Sequence, residues 1–193
     1  MRLQLLVIAT FAISVMSCNQ TATTSTTEQK TETAAPVAAA KPTSNLDQHG
    51  TDNLMSLLSS YYELKDALVA TAAQKADEAA SHVLTAAETM RHELGDTNPA
   101  IRATLDTVMK ESEGIVNLKD STCNKKRVIF QNVSDRIYGI AKTAGLKNAK
   151  VYRQFCPMAF EEKGAHWMSN VEEIKNPYLP KKMLECGEVQ DSL

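Results

Sequence analysis

The C-terminal part of the chain concentrates side chains that can bind a metal ion. Six sulfur or imidazole donors occur there in three close pairs: Cys156 and Met158, His166 and Met168, and Met183 and Cys186. Residues two apart on an extended strand point to the same side, and residues three apart share one face of a helical turn. Thiolate, thioether and imidazole groups favour soft ions such as Cu(I) and Ag(I) over hard cations. The spacing therefore predicts a metal site, with the single tryptophan, Trp167, placed to add a cation–π contact.

The two cysteines of this segment also have a structural interpretation. Cysteines of secreted proteins commonly form disulfides. A Cys156–Cys186 bond would close a loop of about 30 residues and contribute roughly 3–4 kcal/mol in the loop-entropy model. The methionines and Trp167 would then form the core of a cap, and Cys123 would remain a free thiol near a helix N-terminus, where the thiol pKa is expected to fall. The residues alone favour neither interpretation.

The first residues predict export and lipid anchoring. The apolar run from Leu3 to Val15 is too short to span a bilayer and is typical of a secretory leader. The small residue before Cys18 resembles the lipobox of bacterial lipoproteins. We therefore predict a signal peptide over 1–17 and a lipid on Cys18, which would hold the protein in the bacterial cell envelope, facing the periplasm. Residues 18–50 are rich in Thr, Ala, Pro and Ser and predict a disordered tether.

Residues 51–148 must build the scaffold that positions the donors. Apolar residues recur there at helical spacing in four consecutive stretches separated by short turns. The signals at the helix ends are Thr51 or Asp52 as first cap, Thr71-x-x-Gln74 as a capping box, Asn98-Pro99 as a helix start, and Gly95 and Gly145 as terminators. We predict an all-α fold, an up-down-up-down four-helix bundle. Residues 149–193 would form an irregular cap of the same domain, with one short strand or hairpin where VYRQF enters Cys156.

Charge and motif content exclude several classes of function. The formal net charge is −2, so the chain has no basic field with which to bind nucleic acid. It contains no glycine-rich phosphate loop, no nucleophile elbow and no ordered triad. A thiol oxidoreductase would require a C-x-x-C pair, which is also missing from the sequence. We therefore predict that the protein is not an enzyme.

The segment FCPMAFEEKGAHWMSNVEEIKNPYLPKKMLECGEV resembles the C-terminal signature of the bacterial domain-of-unknown-function family 3347. The shared pattern includes CPMAF, NPY and KMLECG; upstream, LLSSYYELKDALVA and the Arg127-x-x-Phe130-x-x-x-Ser134 spacing are also similar. Such domains occur in secreted proteins of the Bacteroidetes type and beside periplasmic adaptors of heavy-metal efflux pumps, which implies copper or silver handling. The family often carries an aromatic residue in place of His166, so the resemblance ranks the cysteines and methionines above it.

Together these features predict a lipid-anchored envelope protein that binds Cu(I) or Ag(I) and sequesters it or delivers it to an efflux adaptor. The alternative is a non-catalytic interaction module whose cap is stapled by a Cys156–Cys186 disulfide.

Overall fold

Four long helices form the main body of the protein in the computed structural model, which describes residues 40–193. They are α1 (Gln48–Val69), α2 (Ala73–Glu93), α3 (Pro99–Asn117) and α4 (Asn124–Thr143). Each helix packs against the next along the chain, which confirms the predicted helical bundle. None of the helices in this part of the chain is both long and apolar enough to span a bilayer. The predicted signal peptide, Cys18 and residues 18–39 of the tether lie outside the described residues.

The predicted apolar stripes form the core of the bundle. Leu57, Val83, Leu105 and Val133 are fully buried, one on each helix. On α4 the buried stripe also includes Phe130. Burial of these side chains supplies the main free energy that holds the helices together.

The folded region starts earlier than predicted. α1 begins at Gln48, and its cap is Asp47, whose side chain accepts a hydrogen bond from the Gly50 N–H at 2.7 Å. Thr51, predicted as a cap, is instead buried in the first turn. Thr43 pairs with Lys147, so the chain before α1 is fixed to the chain after α4. The start of the first helix and its cap therefore lie on the N-terminal side of residue 51.

The other helix-end signals had mixed outcomes. Pro99 begins α3 with Asn98 as its cap residue, as predicted. Gly95 and Gly145 follow α2 and α4 with φ of 51° and 63°, the left-handed conformation expected at a helix end. The capping box predicted at Thr71 does not form, because α2 begins after Ala72 without a side-chain cap.

The C-terminal cap is more regular than predicted. It contains strands β1 (Tyr152–Cys156), β2 (Ala165–Ser169) and β3 (Glu188–Ser192), and a single turn, α5 (Ala159–Glu162), between the first two strands. β1 coincides with the predicted strand and lies in the centre of a three-stranded antiparallel sheet of order β2-β1-β3. Strand β2 packs against α4, which fixes the sheet on the bundle.

Candidate sulfur site

Cys156 and Cys186 meet in the cap, with their sulfur atoms 2.7 Å apart. Cys156 is the last residue of β1 and is fully buried, whereas Cys186 lies in the loop before β3 and is half-buried. The separation exceeds the S–S bond length of about 2.05 Å, and both residues are free thiols. The fold therefore brings together the two cysteines that the sequence analysis singled out, from positions 30 residues apart.

Asn176 holds the loop that carries Cys186. Its backbone N–H donates to the carbonyl of Leu184 at 2.8 Å, and its side-chain Nδ2 donates to the carbonyl of Cys186 at 2.9 Å. Its side-chain oxygen accepts from the N–H groups of Tyr178 and Leu179. The Asn176 side chain is fully buried, so it ties two turns of the loop to each other without competition from water. This is the structural reason for the asparagine of the NPY motif.

Gly187 lets the loop approach the sheet closely. A Cβ atom on Gly187 would lie 2.8 Å from the ring of Trp167 and 2.9 Å from the carbonyl oxygen of Phe155. The φ of Gly187 is +149°, a conformation that other residues rarely adopt. The buried Trp167 ring thus lies directly beneath the residue that follows Cys186. Its predicted cation–π role stays a prediction.

The strand register separates His166 and Met168 from Cys156. Cys156 pairs with Ala165, whereas Phe155 pairs with His166. Because neighbouring strand residues point to opposite faces of a sheet, the register places His166 and Met168 on the face opposite to Cys156. The three donor pairs therefore do not converge on one point through this sheet.

Local contacts occupy both residues of that second pair. The His166 ring lies 4.6 Å from the Phe155 ring, and its Nε2 is 2.9 Å from the side-chain oxygen of Gln190. Met168 is 1% exposed. Binding of an ion beside Cys156 would require both side chains to leave these positions.

Met158 and Met183 lie next to the sulfur pair and are accessible to solvent. Their side chains are 40% and 41% exposed. The Met183 carbonyl accepts a hydrogen bond from the Cys186 N–H at 3.1 Å, and Met158 follows Cys156 by two residues in the chain. Each thioether therefore belongs to a residue close in the chain to one of the two cysteines.

Two thiols of the described residues, Cys186 and Cys123, have a raised pKa. A hydrogen bond with Cys156, followed by burial, raises the pKa of Cys186. Burial also raises the pKa of Cys123, which is the cap residue of α4 with a φ of 61°. The sequence analysis expected the opposite shift at Cys123, and it was wrong because loss of solvation outweighs the helix terminus there.

No group of three or more His, Cys, Asp or Glu side chains lies close enough to hold a metal ion within residues 40–193. Any metal held by the sulfur pair therefore depends on two thiolates together with thioethers. Such a donor set suits soft monovalent ions and excludes the hard cations that need oxygen ligands.

A buried tyrosine network fixes the sheet on the bundle, and the sequence analysis missed it. The Tyr61 hydroxyl accepts a hydrogen bond from the Met168 N–H at 3.0 Å and lies 2.7 Å from the Ser134 hydroxyl. The Tyr178 hydroxyl donates to the carbonyl of His166. Both hydroxyls therefore satisfy backbone groups on the edge of β2 that faces away from β1. The signal in the sequence was Ser134, a polar residue within the apolar stripe of α4.

Arg127 is the second connection between bundle and cap. Its side chain donates to the carbonyls of Pro177 at 2.6 Å, Thr122 at 2.9 Å and Leu68 at 2.8 Å. It also donates to the Thr71 hydroxyl at 3.0 Å, which explains why that hydroxyl does not cap α2. Burial lowers the pKa of Arg127. This one side chain joins the end of α1, the start of α4 and the NPY turn.

Comparison with known proteins gives one match. A family model described as "Protein of unknown function (DUF3347)" matches residues 57–149. No curated protein and no solved structure matches the chain. The matched stretch includes most of α1 and all of α2, α3 and α4, and it ends before β1. Both cysteines of the sulfur pair lie outside it.

Proposed function

This chain belongs to the DUF3347 family of proteins of unknown function, and we propose that it binds Cu(I) or Ag(I) through the thiolates of Cys156 and Cys186. The observation that carries the proposal is the contact between these two sulfur atoms, one buried and one half-buried, at the margin of the cap. Two thiolates form a soft donor pair that suits a monovalent ion.

The thioethers of Met158 and Met183 complete the proposed donor set. Both side chains are exposed, so they are free to turn towards an ion without breaking the core. His166 and Met168 are excluded from the set because the register places them on the opposite face. The revised site therefore keeps four of the six residues predicted from the sequence.

Metal binding at this pair must release protons. The pKa of Cys186 is raised, so this sulfur starts as a thiol, and an ion that binds it as a thiolate displaces its proton. The affinity should therefore fall as the pH falls, whereas a site built only from methionine would respond little.

The proposed place of action is the bacterial cell envelope. The apolar leader and Cys18 support a lipid anchor, and the protein would sequester the ion or deliver it to a periplasmic efflux adaptor. This role needs no catalytic step. Changing Cys18 to Ala should make the uncleaved precursor accumulate. A soluble periplasmic form of the unaltered protein, with an unmodified N-terminus, would contradict the anchor.

Competition with a coloured Cu(I) chelator, bathocuproine disulfonate, tests the metal proposal on reduced protein. The wild type should withdraw Cu(I) from the chelator, and the double variant Cys156→Ser, Cys186→Ser should not. Met183→Leu should weaken binding, whereas the matched control Met168→Leu should leave it unchanged. At a ligand concentration of about 100 times Kd, binding adds about 2.7 kcal/mol of stability. Equal Cu(I) retention by the double cysteine variant would refute the proposal.

The second candidate is a non-catalytic interaction module stapled by a Cys156–Cys186 disulfide. The same contact favours it, since the sulfur atoms can join with little backbone movement. Alkylation of thiols in freshly isolated protein, followed by peptide mass mapping, separates the two functions. A fully oxidised pair that does not bind Cu(I) or Ag(I) after reduction would favour the interaction module.

A further inference from the structure

We infer that the Cys156–Cys186 pair is a reversible dithiol/disulfide gate, which a dithiol protein opens by attacking Cys186. The inference rests on the proposed function only for what the gate controls, namely access of the metal ion to its thiolates. The exchange chemistry itself depends on the two sulfurs and their surroundings.

The two sulfur atoms differ in access. Cys156 is 0% exposed at the end of the central strand, whereas Cys186 lies half-buried in a loop. An attacking thiolate must reach a sulfur from the side opposite to the bond that breaks. Only Cys186 offers such access from solvent, so Cys186 is the sulfur attacked and Cys156 is the sulfur released.

Met158, Met183 and Leu184, which lie close to the two cysteines along the chain, form an exposed apolar surface. Six large apolar side chains are exposed in residues 40–193: Val128, Met158, Val171, Met183, Leu184 and Val189. Met158 lies two residues from Cys156, and Met183 and Leu184 lie within three residues of Cys186. Exposed apolar groups gathered at one place favour a protein contact. Because this surface adjoins the accessible sulfur, the occupant that fits it is a protein with its own reactive cysteine pair.

The exchange is balanced in two steps. A thiolate of the partner attacks the Cys186 sulfur of the disulfide; a new S–S bond joins partner and Cys186, and Cys156 leaves as a thiolate that takes a proton from water. The partner's second thiolate then attacks the partner sulfur of this mixed disulfide, which releases Cys186 and leaves the partner as a disulfide. The chain gains two electrons and the partner loses them. Oxidation of the gate is the reverse reaction with a partner disulfide.

The gate has a direct consequence for the metal. In the disulfide form neither sulfur is a thiolate, so the main donors are missing. Reduction at Cys186 supplies both thiol groups at once, and an ion that binds them as thiolates displaces their protons. The sulfurs are already in contact, so this change leaves the fold intact.

The first experiment measures which thiol reacts. Cys156→Ser and Cys186→Ser are each treated with the disulfide reagent dithionitrobenzoate, and the labelled cysteine is identified by peptide mass mapping. Cys186 should react at least tenfold faster than Cys156. The buried Cys123 serves in both variants as an internal reference for unfolding. Equal or faster reaction at Cys156 would overturn the assignment.

The second experiment tests the dithiol partner on oxidised protein in the absence of metal. Two probes are compared, reduced thioredoxin as a dithiol protein and dithiothreitol as a small dithiol. Leu184→Glu should slow reduction by thioredoxin several-fold and leave reduction by dithiothreitol unchanged. Val128→Glu, at another exposed apolar residue, is the matched control and should change neither rate. A disulfide that both probes reduce only after denaturation, or a thioredoxin rate that does not respond to Leu184→Glu, would overturn the inference. Failure of Cu(I) binding would leave these rates unaffected, so the two proposals fail separately.

Discussion

The hydroxyl of Tyr61 is the polar contact whose removal tests the junction between bundle and cap. It accepts the Met168 N–H at 3.0 Å and lies 2.7 Å from the Ser134 hydroxyl, and the whole side chain is buried. Tyr61→Phe removes one oxygen atom and retains the ring, which stacks on Phe130 at 5.2 Å. Any loss of stability therefore reports the hydrogen bonds rather than the packing.

The expected loss follows from the groups left behind. The Met168 N–H lies on the buried edge of β2 and would have no acceptor, which costs about 1–3 kcal/mol. The lost bond to Ser134 adds about 1 kcal/mol. We expect Tyr61→Phe to lower the free energy of unfolding by about 2–4 kcal/mol, measured by urea denaturation. In a domain of this size, that corresponds to a fall in melting temperature of roughly 5–15 °C.

Tyr62→Phe is the matched control. The Tyr62 hydroxyl is buried and has no hydrogen-bond partner among the described residues. Its removal deletes an unsatisfied group, so the variant should be as stable as the wild type or slightly more stable. If both tyrosine variants lose the same free energy, the network around Tyr61 does not connect the cap to the bundle.

The pH dependence of stability gives a second measurement on the two tyrosines. Burial raises the pKa of both Tyr61 and Tyr62. A raised pKa means that the folded state keeps the proton, so stability is complete below the unfolded value of about 10 and is lost as the pH rises above it. The difference in stability between the wild type and Tyr61→Phe should therefore shrink above about pH 10.

Two further predictions concern the loop and the start of α4. In the urea assay, Gly187→Ala should destabilise the protein by at least about 1 kcal/mol, because the added Cβ would collide with Trp167. Gly139→Ala is the control: the added Cβ lies in open space on α4, so this variant should be neutral or stabilise the protein by up to about 1 kcal/mol. Hydrogen bonds, the first from the Thr122 hydroxyl, lower the pKa of Asp120 to about 2. The Asp120 carboxylate therefore contributes to stability above about pH 4, and this contribution is lost as the pH falls towards 2. The loss of unfolding free energy in Asp120→Asn relative to the wild type should vanish over the same range. A loss that persists at pH 2 would contradict this cause.

The helices could be predicted from the sequence because their signal is local. Apolar residues at helical spacing define the buried face of each helix, and Leu57, Val83 and Leu105 are all buried as expected. The cap at Thr71 failed for a non-local reason. Its hydroxyl is taken by Arg127, which is 56 residues away in the chain. Local capping patterns carry no information about such a competitor.

The sulfur site could be predicted only in part. The sequence indicated that Cys156 and Cys186 belong together, because both interpretations of the tail required it. It could not indicate which face His166 would occupy, since that depends on how β2 pairs with β1 and a shift of one residue reverses the faces. β3, with the exposed sequence EVQDS, has little apolar alternation and forms because it pairs with β1.

The bundle and the cap depend on each other through buried polar groups. Arg127 and Tyr61 both lie within the stretch that the family model matches, yet they bond to Pro177 and Met168 in the cap. Without the cap, the Arg127 guanidinium would lose its bond to Pro177 and the Tyr61 hydroxyl its bond to Met168, and each lost hydrogen bond costs on the order of 1 kcal/mol. Phe130, whose ring centre lies 5.9 Å from that of Tyr178, would lose apolar contact as well. Residues 57–149 of this chain are therefore shaped to carry the cap, and the sulfur pair is held by the same contacts that complete the core of the helices.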